Sequence, residues 1–211
     1  MSFVFIDDAP AVSSMAFQAS ATSTGSTITC PTVQQYDVGV LIDYASNSFS
    51  PEPTQAGPSG FTSLSTSING ARRGTASYKV FNGTESGSTL TGQAGDAFNS
   101  KVLLVFRPNS PIGTVTPSTW LEESTGGNPS PQIIAASGGQ APLIRIAAAS
   151  DNNTTTPSFS AGTFDATVTQ ATGTGRTIAG YAIQNSAGSD DSVDMNDFGT
   201  NWLVSGWLRF S

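Results

Sequence analysis

The chain has no histidine, one cysteine and few charges. Without histidine there can be no Ser-His-Asp triad, no Cys-His pair and no histidine-bearing zinc site. A single cysteine excludes an intrachain disulfide. Cys30 closes a Thr-Ile-Thr-Cys run and reads as a small buried hydrophobe, because nothing beside it would activate a thiolate. Charged residues make up 11% of the chain, against roughly 25% in an ordinary globular domain. Lys and Arg number eight and lie scattered, Arg72-Arg73 being the one doublet, and the net charge is −7. A reader of nucleic acid needs a basic footprint to neutralise phosphates, so direct nucleic-acid binding is not expected. No stretch approaches the roughly 18 apolar residues of a membrane helix. Met1–Pro10 lacks the basic start of a secretory signal. The expectation is a protein made in the cytoplasm that stays soluble or joins an assembly there. Walker and dinucleotide fingerprints are also missing.

What fills the chain instead is Gly, Ser, Thr and Pro, with 37% hydrophobic residues in short clusters. Breakers recur too often for helices. Strand-like runs rich in Val, Ile, Thr, Phe and Tyr recur between them. The pattern predicts strands at Phe3–Ile6, Met15–Ser20, Ser26–Cys30, Gly39–Ala45, Thr62–Ser67 and Ala76–Phe81. Further strands are predicted at Lys101–Arg107, Gln132–Ala136, Leu143–Ala149, Phe164–Thr169, Thr177–Gln184 and Asn201–Phe210. Val38, Val40, Ile42 and Tyr44 alternate with Gly39, Leu41 and Asp43, which gives one wholly apolar face. Lys101–Phe106 is apolar throughout after its lysine and suits a central strand buried on both faces. Phe164, Ala166 and Val168 alternate with Asp165, Thr167 and Thr169, a half-exposed pattern. Leu103, Val105 and Tyr78 are expected between two sheets. Loops are read at Pro51–Gly60, Ser124–Pro131, Asp151–Pro157 and Gly188–Asn196. The fold class is all-β, a jelly-roll-like sandwich, loop-rich, with little or no helix. Residues 1–211 read as one domain, with a weak subdivision near 124–131.

Residues 26–107 carry an ordered set of features. Thr27-Ile28-Thr29-Cys30-Pro31 is followed by Asp37-Val38-Gly39. Next come Pro58-Ser59-Gly60-Phe61-Thr62-Ser63-Leu64, Tyr78-Lys79-Val80 and the turn Glu85-Ser86-Gly87. Val105-Phe106-Arg107 closes the set, and the Trp-bearing Trp202–Phe210 lies far downstream. In combination these resemble a family of bacteriophage and prophage virion structural-region proteins. The resemblance implies phage origin and a β-sandwich more than it implies an activity. It matches less clearly from about Thr114 to Ala171.

Three groups of side chains invite chemistry. Glu122-Glu123 with Asp151 or Asp165 would be a glycosidase pair, which needs two carboxylates flanking the scissile bond. Neighbours on a strand point to opposite faces, so Glu122 and Glu123 read as solvated acids. Asp190, Asp191, Asp194 and Asp197, with Asn196, form a dense oxygen cluster of the kind calcium takes. The spacing is not that of an EF-hand, and a plain acidic loop is the competing reading. Calcium is the one candidate ion, and no other cofactor is implied. Trp120, Trp202 and Trp207 offer faces for sugar stacking. Trp202 and Trp207 are five apart and so on opposite faces of an unbulged strand, which puts one of them in the core.

Without catalytic groups, the chain is expected to be no enzyme. The expected role is a head decoration or cement protein on the capsid surface, partnered by the major capsid or other virion proteins and located in the virion. A tail-tip or fibre-associated module binding host glycan is the alternative. A homo-oligomer is expected, a trimer by analogy with capsid-decorating proteins. Phe3, Val4 and Phe5 of the N-terminal arm, or the Pro51–Gly60 loop, with Arg72 and Arg73, are the expected subunit contacts.

Overall fold

The computed structural model describes residues 12–53, 57–123, 132–134, 142–151, 157–171, 175–186, 191–195 and 202–211. The first half of the chain contributes seven strands: β1 (Met15–Ser23), β2 (Thr27–Thr29), β3 (Gln35–Ser46), β4 (Thr62–Asn69), β5 (Arg72–Asn82), β6 (Thr89–Thr91) and β7 (Phe98–Pro108). The second half contributes β8 (Val115–Pro117), β9 (Leu121–Glu123), β10 (Gln132–Ile134), β11 (Leu143–Asp151) and β12 (Phe159–Ala161). It continues with β13 (Ala166–Gln170), β14 (Arg176–Gln184), β15 (Asp191–Met195) and β16 (Trp202–Phe210). No helix occurs among the described residues, so none there is long and apolar enough to cross a membrane.

Two large antiparallel sheets face each other. One runs β1-β7-β3-β5-β4; the other runs β13-β14-β11-β16-β8, with β9 also paired to β16. The all-β sandwich expected from the pattern is therefore present. Each large sheet comes from one half of the chain, Met15–Pro108 for the first and Val115–Phe210 for the second. The strands do not interleave between the sheets as a jelly roll's do.

The apolar faces meet in one core. Val38, Val40, Ile42 and Tyr44 of β3 and Val102, Leu104 and Phe106 of β7 pack against Ile144, Ile146 and Ala148 of β11. Trp202, Val204, Leu208 and Phe210 of β16 complete it. This is the alternation read in β3, now facing the other sheet. Phe17 of β1 stacks on Tyr181 of β14 with ring centroids 4.7 Å apart, which ties the sheets at one side.

Both large sheets are also covered on their outer faces. The β2–β6 ribbon lies over the first sheet and buries Leu41, Phe81, Leu103 and Val105 together with Ile28, Cys30, Val33 and Leu90. Phe159 of β12, in the small sheet β10-β15-β12, packs on Ala149, Ile178 and Leu203 outside the second. The result is four layers, where two or three are usual. It explains why Lys101–Phe106 and all of β11 are buried without alternation. It also corrects one expectation. Leu103 and Val105 are fully buried, but on the face turned away from the second large sheet. Tyr78 is half-buried against the central core.

Glycines face aromatic rings where the layers close. A β-carbon on Gly74 would lie 2.4 Å from the Trp202 ring, and one on Gly206 would lie 2.5 Å from the Trp120 ring. Any side chain there would displace an indole from the core. Phe164 departs from its predicted face. It precedes β13 and lies over Gly180 with Trp207 and Phe159, whereas Val168 joins the central core. The segment read as an acidic loop contains β15, whose backbone pairs with β10 and β12.

Candidate functional site

The outer face of the first sheet carries a buried polar network. Asp43 and Lys101 are opposite each other on β3 and β7, and neither has any exposed surface. Lys101 Nζ lies 2.5 Å from Asp43 Oδ1 and donates to the Gln93 carbonyl at 2.8 Å. Gln93 N–H donates to Asp43 Oδ2 at 2.7 Å, and its side-chain amide donates to Thr75 Oγ1 at 2.7 Å. The segment after β6 thus closes over the ion pair. Gly92 is required there, since a β-carbon would fall 2.2 Å from Asp43 Oδ2. Burial pushes the Asp43 carboxyl up, and the Lys101 ammonium and the Gln93 N–H act against that push.

Two further ion pairs fix the turns at the other end of this sheet. Asp37, fully buried, accepts Arg107 Nε and Nη2, each at 2.8 Å, and Gln34 N–H at 2.8 Å. This fork fits a planar guanidinium to a carboxylate and anchors the bulge between Gln35 and Val38, where Tyr36 takes a φ of 72°. Lys79 Nζ lies 3.0 Å from Glu85 Oε1, and Glu85 also accepts the N–H groups of Asn82 and Gly83. Burial alone would raise the Glu85 carboxyl, but the Lys79 and backbone hydrogen bonds together outweigh it and hold it below the usual carboxylate range. The sequence features Asp37, Tyr78-Lys79, Glu85 and Val105-Phe106-Arg107 are therefore packing and pinning devices.

The candidate residues fall as follows. Glu122 accepts a hydrogen bond from Ser65 of β4, and Asp165 Oδ2 accepts Ile183 N–H at 2.8 Å. These two carboxylates sit at opposite edges of the second sheet with three strands between them. That is roughly 19 Å at ordinary strand spacing, too far for a glycosidase pair. Asp151 is fully buried opposite Arg176, out of a substrate's reach. Asp191 and Asp194 belong to β15, so their backbone is strand and not loop; Asp190 and Asp197 lie outside the described residues. Among the described residues no three acidic or cysteine side chains gather as a metal site would require. Trp202 and Trp120 are buried, and Trp207 is half-buried under the Arg209 guanidinium. Cys30 is buried, and burial pushes its thiol up to about 11, which keeps it protonated and unreactive at neutral pH. Arg73 pairs within the chain with Glu52 at 3.5 Å. Phe3, Val4 and Phe5 lie outside the described residues.

One site was not anticipated. Gly57, Phe61, Ser63, Thr66, Arg73, Thr75 and Ser77 line a cavity of about 190 Å³ on the outer face of the first sheet. Its floor is legible in principle: Arg73, Thr75 and Ser77 are two apart and share a face of β5. The Pro58–Leu64 segment, read only as part of a packing motif, supplies Phe61 as a wall.

No protein-family model, no curated protein and no solved structure matches this chain.

Proposed function

We propose that this protein is a non-enzymatic structural component of a bacteriophage particle that binds the head shell as a decoration or cement protein. The observation that carries this reading is the chemistry of the sheet edges. β1, β4 and β13 each bound a large sheet, and none contains a charged residue. Open edges are usually blunted with charge or cover, since unpaired backbone groups recruit further strands. On one side β4 lies over β9, stitched by the Ser65–Glu122 hydrogen bond. On the other, β1 lies over β13, and Ser and Thr side chains are exposed along both. That side suits broad attachment through backbone and hydroxyl hydrogen bonds to a neighbouring protein. The resemblance of residues 26–107 to phage structural proteins supports the same reading.

Charging this edge tests the proposal. Ser20→Lys with Thr22→Lys, both exposed on β1, should change unfolding stability by no more than about 1 kcal/mol in all. Binding to particles lacking the native protein should fall by about tenfold or more, since added charge blocks edge pairing. Full binding by the doubly charged variant removes the edge from the account. The second reading, a tail-tip or fibre-associated module that binds host glycan, is favoured by one observation, the hydroxyl-lined cavity beside Phe61.

A further inference from the structure

The cavity beside Phe61 holds more hydrogen-bonding capacity than the protein itself uses. Ser77 is 3% exposed, and its hydroxyl has no partner. The buried Nε of Arg73 has none either. Buried polar atoms are nearly always satisfied, so two on residues that line one cavity point to a ligand. Arg73 is held by a single 3.5 Å contact from Nη2 to Glu52, which leaves the rest of its donor fork uncommitted.

The lining sets the ligand's chemistry. A guanidinium calls for a carboxylate, which it can meet with paired donors. The hydroxyls of Ser63, Thr66, Thr75 and Ser77 each donate and accept, so they match other hydroxyls. The Phe61 ring, braced edge-on by Phe81 with centroids 6.3 Å apart, offers an apolar face. The volume of about 190 Å³ is below the roughly 300–1,000 Å³ of sites for larger ligands, which limits the occupant to one ring. We propose that this cavity binds the ring of an acidic sugar, a hexuronic acid residue. Its carboxylate meets Arg73, its hydroxyls meet the serines and threonines, and its apolar face lies against Phe61. Glu52 competes with the ligand for Arg73. The inference does not depend on where in a particle the protein sits, so its failure leaves the edge-assembly reading intact.

The test is an NMR titration of the full chain with glucuronate and galacturonate, with glucose as the neutral control. The expected result is saturable binding in about the millimolar range, with shifts at the Arg73 guanidinium and the Phe61 ring, and little response to glucose. Arg73→Gln should weaken uronate binding by about tenfold or more, as loss of a charge-assisted pair does. Glu52→Gln should tighten it, because the competing carboxylate is gone. Unchanged amide spectra away from the cavity establish that both variants fold. An oligogalacturonate binding more tightly than the monomer identifies a polymer as the source; equal affinity identifies the free sugar. The proposal is overturned by no saturable shift with either uronate, by an equal response to glucose, or by binding that survives Arg73→Gln undiminished.

Discussion

Lys101→Met should destabilise the protein by about 3–5 kcal/mol, the range seen when one partner of a buried ion pair is removed. The residue has no exposed surface, and its ammonium meets Asp43 and the Gln93 carbonyl. Methionine fills much of the volume, so the loss is chiefly electrostatic. Asp43 is left buried without its cation, and a backbone carbonyl loses its donor. A second change, Asp43→Asn, should recover a large part of the loss. The asparagine carbonyl still accepts the Gln93 N–H, its amide can donate to the Gln93 carbonyl, and no buried charge remains. Denaturant unfolding of the two single variants and the double gives the coupling directly. A cost below about 1 kcal/mol for Lys101→Met, within the range of exposed pairs, would mean that the outer face of the first sheet is open to water.

Trp202→Ala should cost about 3–5 kcal/mol, as large aromatic deletions from cores do. Trp202 is 1% exposed and stacks on Tyr44 of the opposite sheet with centroids 6.2 Å apart and planes 2° apart. Its ring also occupies the space that Gly74 leaves free. Removing it opens a cavity bordered on one side by Gly74, which has no side chain to move in. Trp207→Ala, five residues on and half-buried outside the second sheet, should cost about 1 kcal/mol, near the centre of the range for single changes. Thermal unfolding monitored by near-ultraviolet circular dichroism separates the two. Similar costs for both would contradict the placement of β16 between the core and the outer layer.

The strands that could be read from the sequence were those whose burial leaves a pattern. Val38 to Tyr44 alternate because β3 needs one apolar face toward the second sheet. Lys101–Phe106 does not alternate because the β2–β6 ribbon covers its other side. The strands that escaped notice include β6, β8, β9 and β12, each three residues long; β2 and β10 are equally short but lie within the longer strand-like runs Ser26–Cys30 and Gln132–Ala136. β15 escaped because its aspartates read as a loop, whereas its backbone pairing to β10 and β12 makes it a strand. Ion pairing was hidden by distance along the chain. Lys101 and Asp43 are 58 residues apart, and Arg107 and Asp37 are 70 apart. Lys101 looked like the polar start of an apolar run; only the register of β3 against β7 shows that it is the centre of a buried network. The cavity was half legible. The alternation of Arg73, Thr75 and Ser77 is in the sequence, but the ring that walls it comes from a segment whose fold no periodicity describes.

Copy number tests attachment to the head shell most directly. Purified virions, washed and separated on a denaturing gel, should carry this protein at hundreds of copies per particle by densitometry against the major capsid protein. A value of tens or fewer, or its absence from washed particles, would contradict a decoration protein that covers the head shell.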